Sequence, residues 1–117
     1  MSDSLNDCIF CKIAGGEFGT EFVLETDMVV AFDDLSPQAP THVLIVPRRH
    51  VSSVAQLTSD DAELIVDVTL VANHIATLRG IGSAGYRVLT NSGADAGQSV
   101  GHLHWHLLGG APLGPIA

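Results

Sequence analysis

The chain has 117 residues, 46% of them hydrophobic and 15% charged, with 5 Lys plus Arg against 13 Asp plus Glu. That length suits one domain with a real core and is too short for two, and the composition is not that of a disordered acidic tail. A formal net charge of -8 argues against nucleic acid or an anionic membrane as partner, because both demand a basic footprint, and no apolar run approaches the roughly 18–20 residues of a membrane span.

Residues 1–7 are polar and are expected to be frayed and disordered. They lack the basic start and apolar stretch of a signal peptide, so the expectation is a cytoplasmic protein with one domain over 1–117. Residues 22–24 and 28–32 read as two strands around a turn at Glu25, Thr26 and Asp27. Two prolines and a serine make 34–40 a loop. The β-branched run 42–46, stopped by Pro47, reads as a buried strand. Thr58 or Ser59 caps a helix with acids in its first turn. Leu64, Val68, Val71, Ile75 and Leu78 follow at helical spacing, and Gly80 stops them. Residues 86–90 read as a strand, 91–98 as a Gly- and Ala-rich loop, and 100–108 as a strand ended by Gly109 and Gly110. Strands with one long helix between them imply α+β with a mainly antiparallel sheet.

The charge is uneven. Eight acids and one base lie in residues 1–34, whereas residues 96–117 hold no Asp, Glu, Lys or Arg but three of the six histidines. His102, His104 and His106 alternate with Leu103, Trp105 and Leu107. In a strand, residues two apart share a face at intervals of about 6.7 Å, so the histidines line one face and the apolar residues the other. Three readings stay open: exposed polar residues, metal chelation by alternate histidines, or acid-base and nucleophilic work by imidazole. The preceding loop offers backbone amides near Gly93 and Gly97, and the Ser99 hydroxyl, as a cradle for phosphate without Lys or Arg. An ordinary glycine-rich turn is the plainer alternative.

His102–Leu108 fits the His-x-His-x-His-x-x pattern and resembles the histidine-triad superfamily. Residues 8–13 (CIFCKI), 31–50 (AFDDLSPQAPTHVLIVPRRH) and 91–110 (NSGADAGQSVGHLHWHLLGG) resemble its nucleotide-binding, phosphoramidase-like branch. The resemblance implies a five-stranded sheet, one long helix and a short N-terminal helix, paired in a homodimer with a ten-stranded sheet. It also implies a purine nucleotide substrate. By position, His104 is the nucleophile that attacks the α-phosphorus. His106 contacts the phosphate, His42 orients the nucleophile, and Ser99 helps protonate the leaving group. Gly97, Gln98 and Asn91 match phosphate and ribose contacts. Asp34 matches the carboxylate that accepts the ribose hydroxyls, which suits a two-oxygen acceptor. Phe10, Ile13, Phe32 and Leu35 match apolar walls around the base, although each alone reads as core. Asp33 either touches the nucleoside or points to solvent.

Cys8 and Cys11 are spaced as Cys-x-x-Cys. A structural disulfide is unexpected in the cytosol, and the βαβ context of a thioredoxin-like pair is missing. Tetrahedral zinc needs two further ligands, and His50 and His102 are the candidates, as in some bacterial histidine-triad proteins and the related galactose-1-phosphate uridylyltransferases. Free thiols are the alternative. His74 reads as a surface helix residue. The implied activity is hydrolysis of purine nucleoside phosphoramidates or related adenylates. The competing readings are dinucleoside polyphosphate cleavage, a nucleotide-binding module with negligible turnover, and a metallohydrolase. The tail, residues 111–117, is short and lacks the aromatic residue that reaches the partner's site in some relatives. With no Lys or Arg near the phosphate site, binding is expected to draw on protonatable histidines and to vary with pH between 5 and 8.

Overall fold

A computed structural model describes residues 7–117, so the expectation for residues 1–6 lies outside the described residues. The elements run α1 (Ile9–Ala14), β1 (Leu24–Glu25), β2 (Val29–Asp33), β3 (Thr41–Pro47), α2 (Ala62–Leu78), β4 (Tyr86–Thr90) and β5 (Trp105–Gly109). The strands form one sheet in the order β1-β2-β3-β5-β4, with every pairing antiparallel. The expected five-stranded α+β architecture is therefore the observed one.

The long helix forms for the reasons its sequence supplies. Thr58 and Asp61 make a reciprocal capping box around a 3-10 turn at Ser59–Asp61, which leads into α2. Gly80, at φ 69°, ends the helix. Its N–H donates to the Thr77 carbonyl at 3.1 Å and the Ile81 N–H to Ala76 at 3.0 Å, the two bonds of a Schellman motif. Leu64, Val68, Val71, Ala72 and Ile75 of α2 are buried against Val29, Ala31, Val43, Ile45, Trp105 and Leu107 of the sheet and Leu103 just before β5. The alternate residues Val30, Phe32, Leu44 and Val46 pack on the opposite face with Cys8 and Phe10. Strand alternation thus sorts the chain into a helix-covered face and a second face covered by α1.

β2 and β3 differ from their expected ends by one residue, and two strands start more than one residue from the expected position. The first strand is Leu24–Glu25 rather than 22–24, although the Val23 N–H still reaches the Ala31 carbonyl at 2.8 Å. The last strand starts at Trp105, so 100–104 is irregular and His102 and His104 lie before the strand. Pro47, at the end of β3, has no N–H to extend the ladder, and its carbonyl is taken by the His102 ring nitrogen Nε2 at 2.8 Å. A side chain has replaced the next ladder bond. The alternation survives this: Leu103, Trp105 and Leu107 still belong to the helix-side core. No helix among the described residues is long and apolar enough to cross a membrane.

Candidate active site

On the sheet face opposite α2 lies a pocket of about 260 Å³. Phe10 and Ile13 of α1, Phe32 and Leu44 of the sheet, and Asp34, Leu35, Ser99, His104 and His106 line it, with Ile9, Asp33 and Val100. Phe10 meets Phe32 edge-on at 5.9 Å between ring centroids and His104 edge-on at 5.0 Å. Leu35 is 99% exposed and stands at the mouth, not within a wall. A larger cleft of about 710 Å³, bounded by Gly80, Tyr86, Arg87 and Leu113, holds none of the histidines.

The partners of the rings assign their tautomers. His104 Nδ1–H donates to the His102 carbonyl at 2.7 Å, which leaves the lone pair on Nε2. The Gln38 amide donates to His42 Nδ1 at 3.0 Å, so neutral His42 carries its proton on Nε2. That N–H donates to His106 Nδ1 at 2.9 Å, which places the His106 proton on Nε2. His42 therefore holds His106 directly, while His104 and His106 stand with ring centroids 5.2 Å apart. Asp34 Oδ2 lies 3.4 Å from His42 Nε2, and Asp34 Oδ1 accepts the Ser36 N–H at 2.8 Å. Asp33, one residue earlier, pairs with Arg79 at 3.0 Å.

Burial, reinforced by His104 and His42, pushes His106 down to about 4. Burial pushes His102 down to about 4 as well, against the hydrogen bond to Pro47. Burial thus favours the neutral form of both rings, which offers N–H dipoles and lone pairs.

Beside the pocket, Cys8 Sγ, Cys11 Sγ, His50 Nδ1 and His102 Nδ1 lie within 4.8 Å of one another. The contacts are 3.2 Å for Cys8–His102, 3.3 Å for Cys11–His50 and 3.5 Å for Cys11–His102. A tetrahedral ion at usual Zn–S and Zn–N lengths sets its ligands about 3.3–3.8 Å apart, so the separations fit. His102 Nε2 is held by the Pro47 carbonyl, which turns the Nδ1 lone pair toward the sulfurs. His50 Nε2 is buried without a partner. The four residues expected to gather here do so, and they can hold a metal ion.

The loop of residues 91–98 corrects the expected phosphate cradle. The Gly97 N–H is spent on the Ala94 carbonyl at 3.0 Å, and the Gly93 N–H on the Gln98 Oε1 at 2.9 Å. Gln98 Nε2 donates to the Ser52 and Val100 carbonyls at 2.7 and 2.9 Å. Gln98 is thus a brace of the loop, and neither it, Gly97 nor Asn91 lines the pocket. Only Ser99 of this group does. Sequence reasoning did not find the Gln38 amide or the Pro47 carbonyl, because backbone partners carry no side-chain signal.

A family model described as "HIT domain" matches residues 16–113. A purine nucleoside phosphoramidase of Escherichia coli (strain K12) is 42% identical over 110 residues, covering 94% of this chain and 92% of that protein. The solved structure of a HIT family hydrolase from Clostridium thermocellum is 43% identical with a TM-score of 0.91, covering 96% and 97% of the two chains. A histidine triad protein from Clostridium difficile is 43% identical with a TM-score of 0.90, covering 95% and 96%.

Proposed function

The chain belongs to the HIT domain family, and from that membership we propose that it is a hydrolase cleaving purine nucleoside phosphoramidates or related adenylated compounds through a covalent intermediate on His104. The observation that carries the reading is the His104 hydrogen bond to the His102 carbonyl, which leaves a neutral, fixed ring with a lone pair on Nε2 in the pocket.

The base is taken between Phe10, Ile13 and Phe32, with Leu35 at the mouth, and the ribose hydroxyls by Asp34. The phosphate then lies among His104, His106 and Ser99. His104 Nε2 attacks the α-phosphorus, the bond to the leaving nitrogen breaks, and the leaving amine takes a proton with help from the Ser99 hydroxyl. The His106 Nε2–H donates to a phosphoryl oxygen as charge grows there. Water then attacks the same phosphorus, the P–N bond to His104 breaks, and the nucleoside monophosphate leaves. His42 acts through His106 in this scheme.

Zinc is the ion that the two-thiolate, two-imidazole set suits, held by Cys8, Cys11, His50 and His102. When bound it supplies a structural tie between α1 and the histidine segment. A homodimer is supported by Ile65, Val66 and Leu70 on α2 and Val88 on the edge strand β4, all exposed and apolar. The test of the function is hydrolysis of adenosine 5'-phosphoramidate by wild type and His104→Ala, with acid-quenched mass spectrometry for the adenylated protein. Equal rates for the two proteins would remove His104 as nucleophile.

A further inference from the structure

Asp34 Oδ2, His42 Nε2 and His106 Nδ1 lie within 4.8 Å of one another, a composition that resembles a two-histidine, one-carboxylate metal site. The backbone opposes that use. The Gln38 N–H fixes the His42 proton on Nε2, the atom a metal would need. That proton faces two acceptors instead, His106 Nδ1 at 2.9 Å and Asp34 Oδ2 at 3.4 Å.

We infer that Asp34 acts on the reaction as well as on the ribose: it is a positioning residue at the anionic end of an Asp34–His42–His106 chain whose other end meets the phosphate. The inference rests on the proposed function for what the chain acts upon. Its geometry stands on its own. The carboxylate cannot swing freely, because the Ser36 amide holds Oδ1 at 2.8 Å. The His42 side chain is only 4% exposed, so a charge 3.4 Å away is weakly screened. His106 serves a phosphoryl oxygen only while its Nε2–H stays aimed there, and His42 sets that aim by donating to Nδ1. Asp34, the second acceptor facing the same His42 N–H, holds the His42 ring in place.

The groups around His106 leave that task to Asp34. His104 approaches from the segment before β5 and His42 from β3, both imidazoles. α1 contributes only Ile9, Phe10 and Ile13 to the pocket, and the loop before His102 contributes the Ser99 hydroxyl. The remaining acid of the pocket, Asp33, is paired with Arg79. Of the charges acting on His106, Asp34 is the one that raises its proton affinity, against His104 and His42, which lower it.

The experiment compares wild type with Asp34→Asn on adenosine 5'-phosphoramidate and on its 2',3'-dideoxy analogue. Asparagine keeps an oxygen for the Ser36 amide, and a thermal melt checks that the variant folds. A carboxylate that serves only the ribose has no work to do on the dideoxy compound, so equal kcat values there would overturn the inference. A residual kcat loss of about tenfold or more is the expected result, the scale of one weakened transition-state contact. In parallel, the His106 imidazole is titrated by NMR in the free protein. A lower midpoint in Asp34→Asn is expected, and an unmoved midpoint would also overturn the inference. Should wild type turn over neither compound, the phosphoramidase reading fails by itself, while the nucleotide-free titration still decides the chain.

Discussion

The two faces of the sheet are cut from the same strands by a period of two, yet they carry opposite contents. Toward α2 the strands present Val29, Ala31, Val43, Ile45 and Leu107, all at 0% exposure, and the contacts there are hydrocarbon. Away from α2 the same strands and the segment before β5 present His42, His102, His104 and His106 beside Phe32 and Leu44. Buried imidazoles are costly unless each polar atom has a partner. Here most partners are backbone groups: the Gln38 amide for His42, the His102 carbonyl for His104 and the Pro47 carbonyl for His102. One face therefore stores stability in burial, and the other spends polar satisfaction on holding tautomers.

Neighbouring residues should then fail in different ways. His104→Ala is expected to lower kcat by about 10⁴-fold or more, the scale on which loss of a covalent nucleophile acts. Its urea midpoint should stay close to wild type. Leu107→Ala, three residues on but facing α2, is expected to cost about 2–5 kcal/mol of stability while kcat per folded molecule stays within a few-fold. Urea titration and steady-state rates on both variants check the pair. If His104→Ala unfolds the protein, or Leu107→Ala leaves its stability intact, the division between faces is wrong.

The thiol-imidazole cluster provides the next contrast, since it lies on the chemical face but has a structural task. Cys11→Ser should lose bound zinc in elemental analysis and melt several degrees lower, as should chelated wild type. In the metal-free protein, burial and the neighbouring Cys8 hold the Cys11 thiol up at about 11. Zinc must displace that proton, so uptake should release protons and tighten as pH rises. Proton release measured by calorimetry in two buffers reads this directly.

A smaller effect is expected from acid. His106 and, without metal, His102 have folded values near 4 against 6.5 for the free ring. Between those values the unfolded chain binds more protons than the folded one, so the contribution of these rings to stability is complete above about 6.5 and drains as pH falls toward 4. Melts of chelated protein from pH 7.5 to 4.5 should fall in that window, and His106→Gln should fall less steeply. A wild-type profile flat from 7 to 5 would contradict the burial of these rings.

How much of this was legible depends on what kind of group carried the information. The helix was legible because Leu64, Val68, Val71 and Ile75 repeat at its period and Thr58 and Gly80 mark its ends. β4 was legible to the residue. The grouping of Cys8, Cys11, His50 and His102 was carried by family resemblance, not by spacing, since 94 residues separate Cys8 from His102. The strand start at 100 misled because alternation continues through 102 and 103 although the ladder does not. The loop amides of Gly93 and Gly97 misled because a glycine-rich stretch does not reveal that the Gln98 side chain closes on it. The Gln38 and Pro47 backbone contacts leave no trace in residue type at all.

The finest division is between two adjacent acids. Asp33 ends β2 with its carboxylate on Arg79, which follows α2, whereas Asp34 leans on His42 at 3.4 Å. The Asp33 side chain is 59% exposed and that of Arg79 30%, so the pair sits in water and its worth is screened. Asp33→Asn is therefore expected to change stability by no more than about 0.5 kcal/mol and to leave kcat and KM unchanged. Asp34→Asn, one residue on, is expected to change both kinetic constants. If the two substitutions prove alike, position along the strand is not what separates structure from chemistry at this edge of the pocket. The charge of the pocket as a whole would then be the quantity that matters, and neutralising either acid would serve as well as the other.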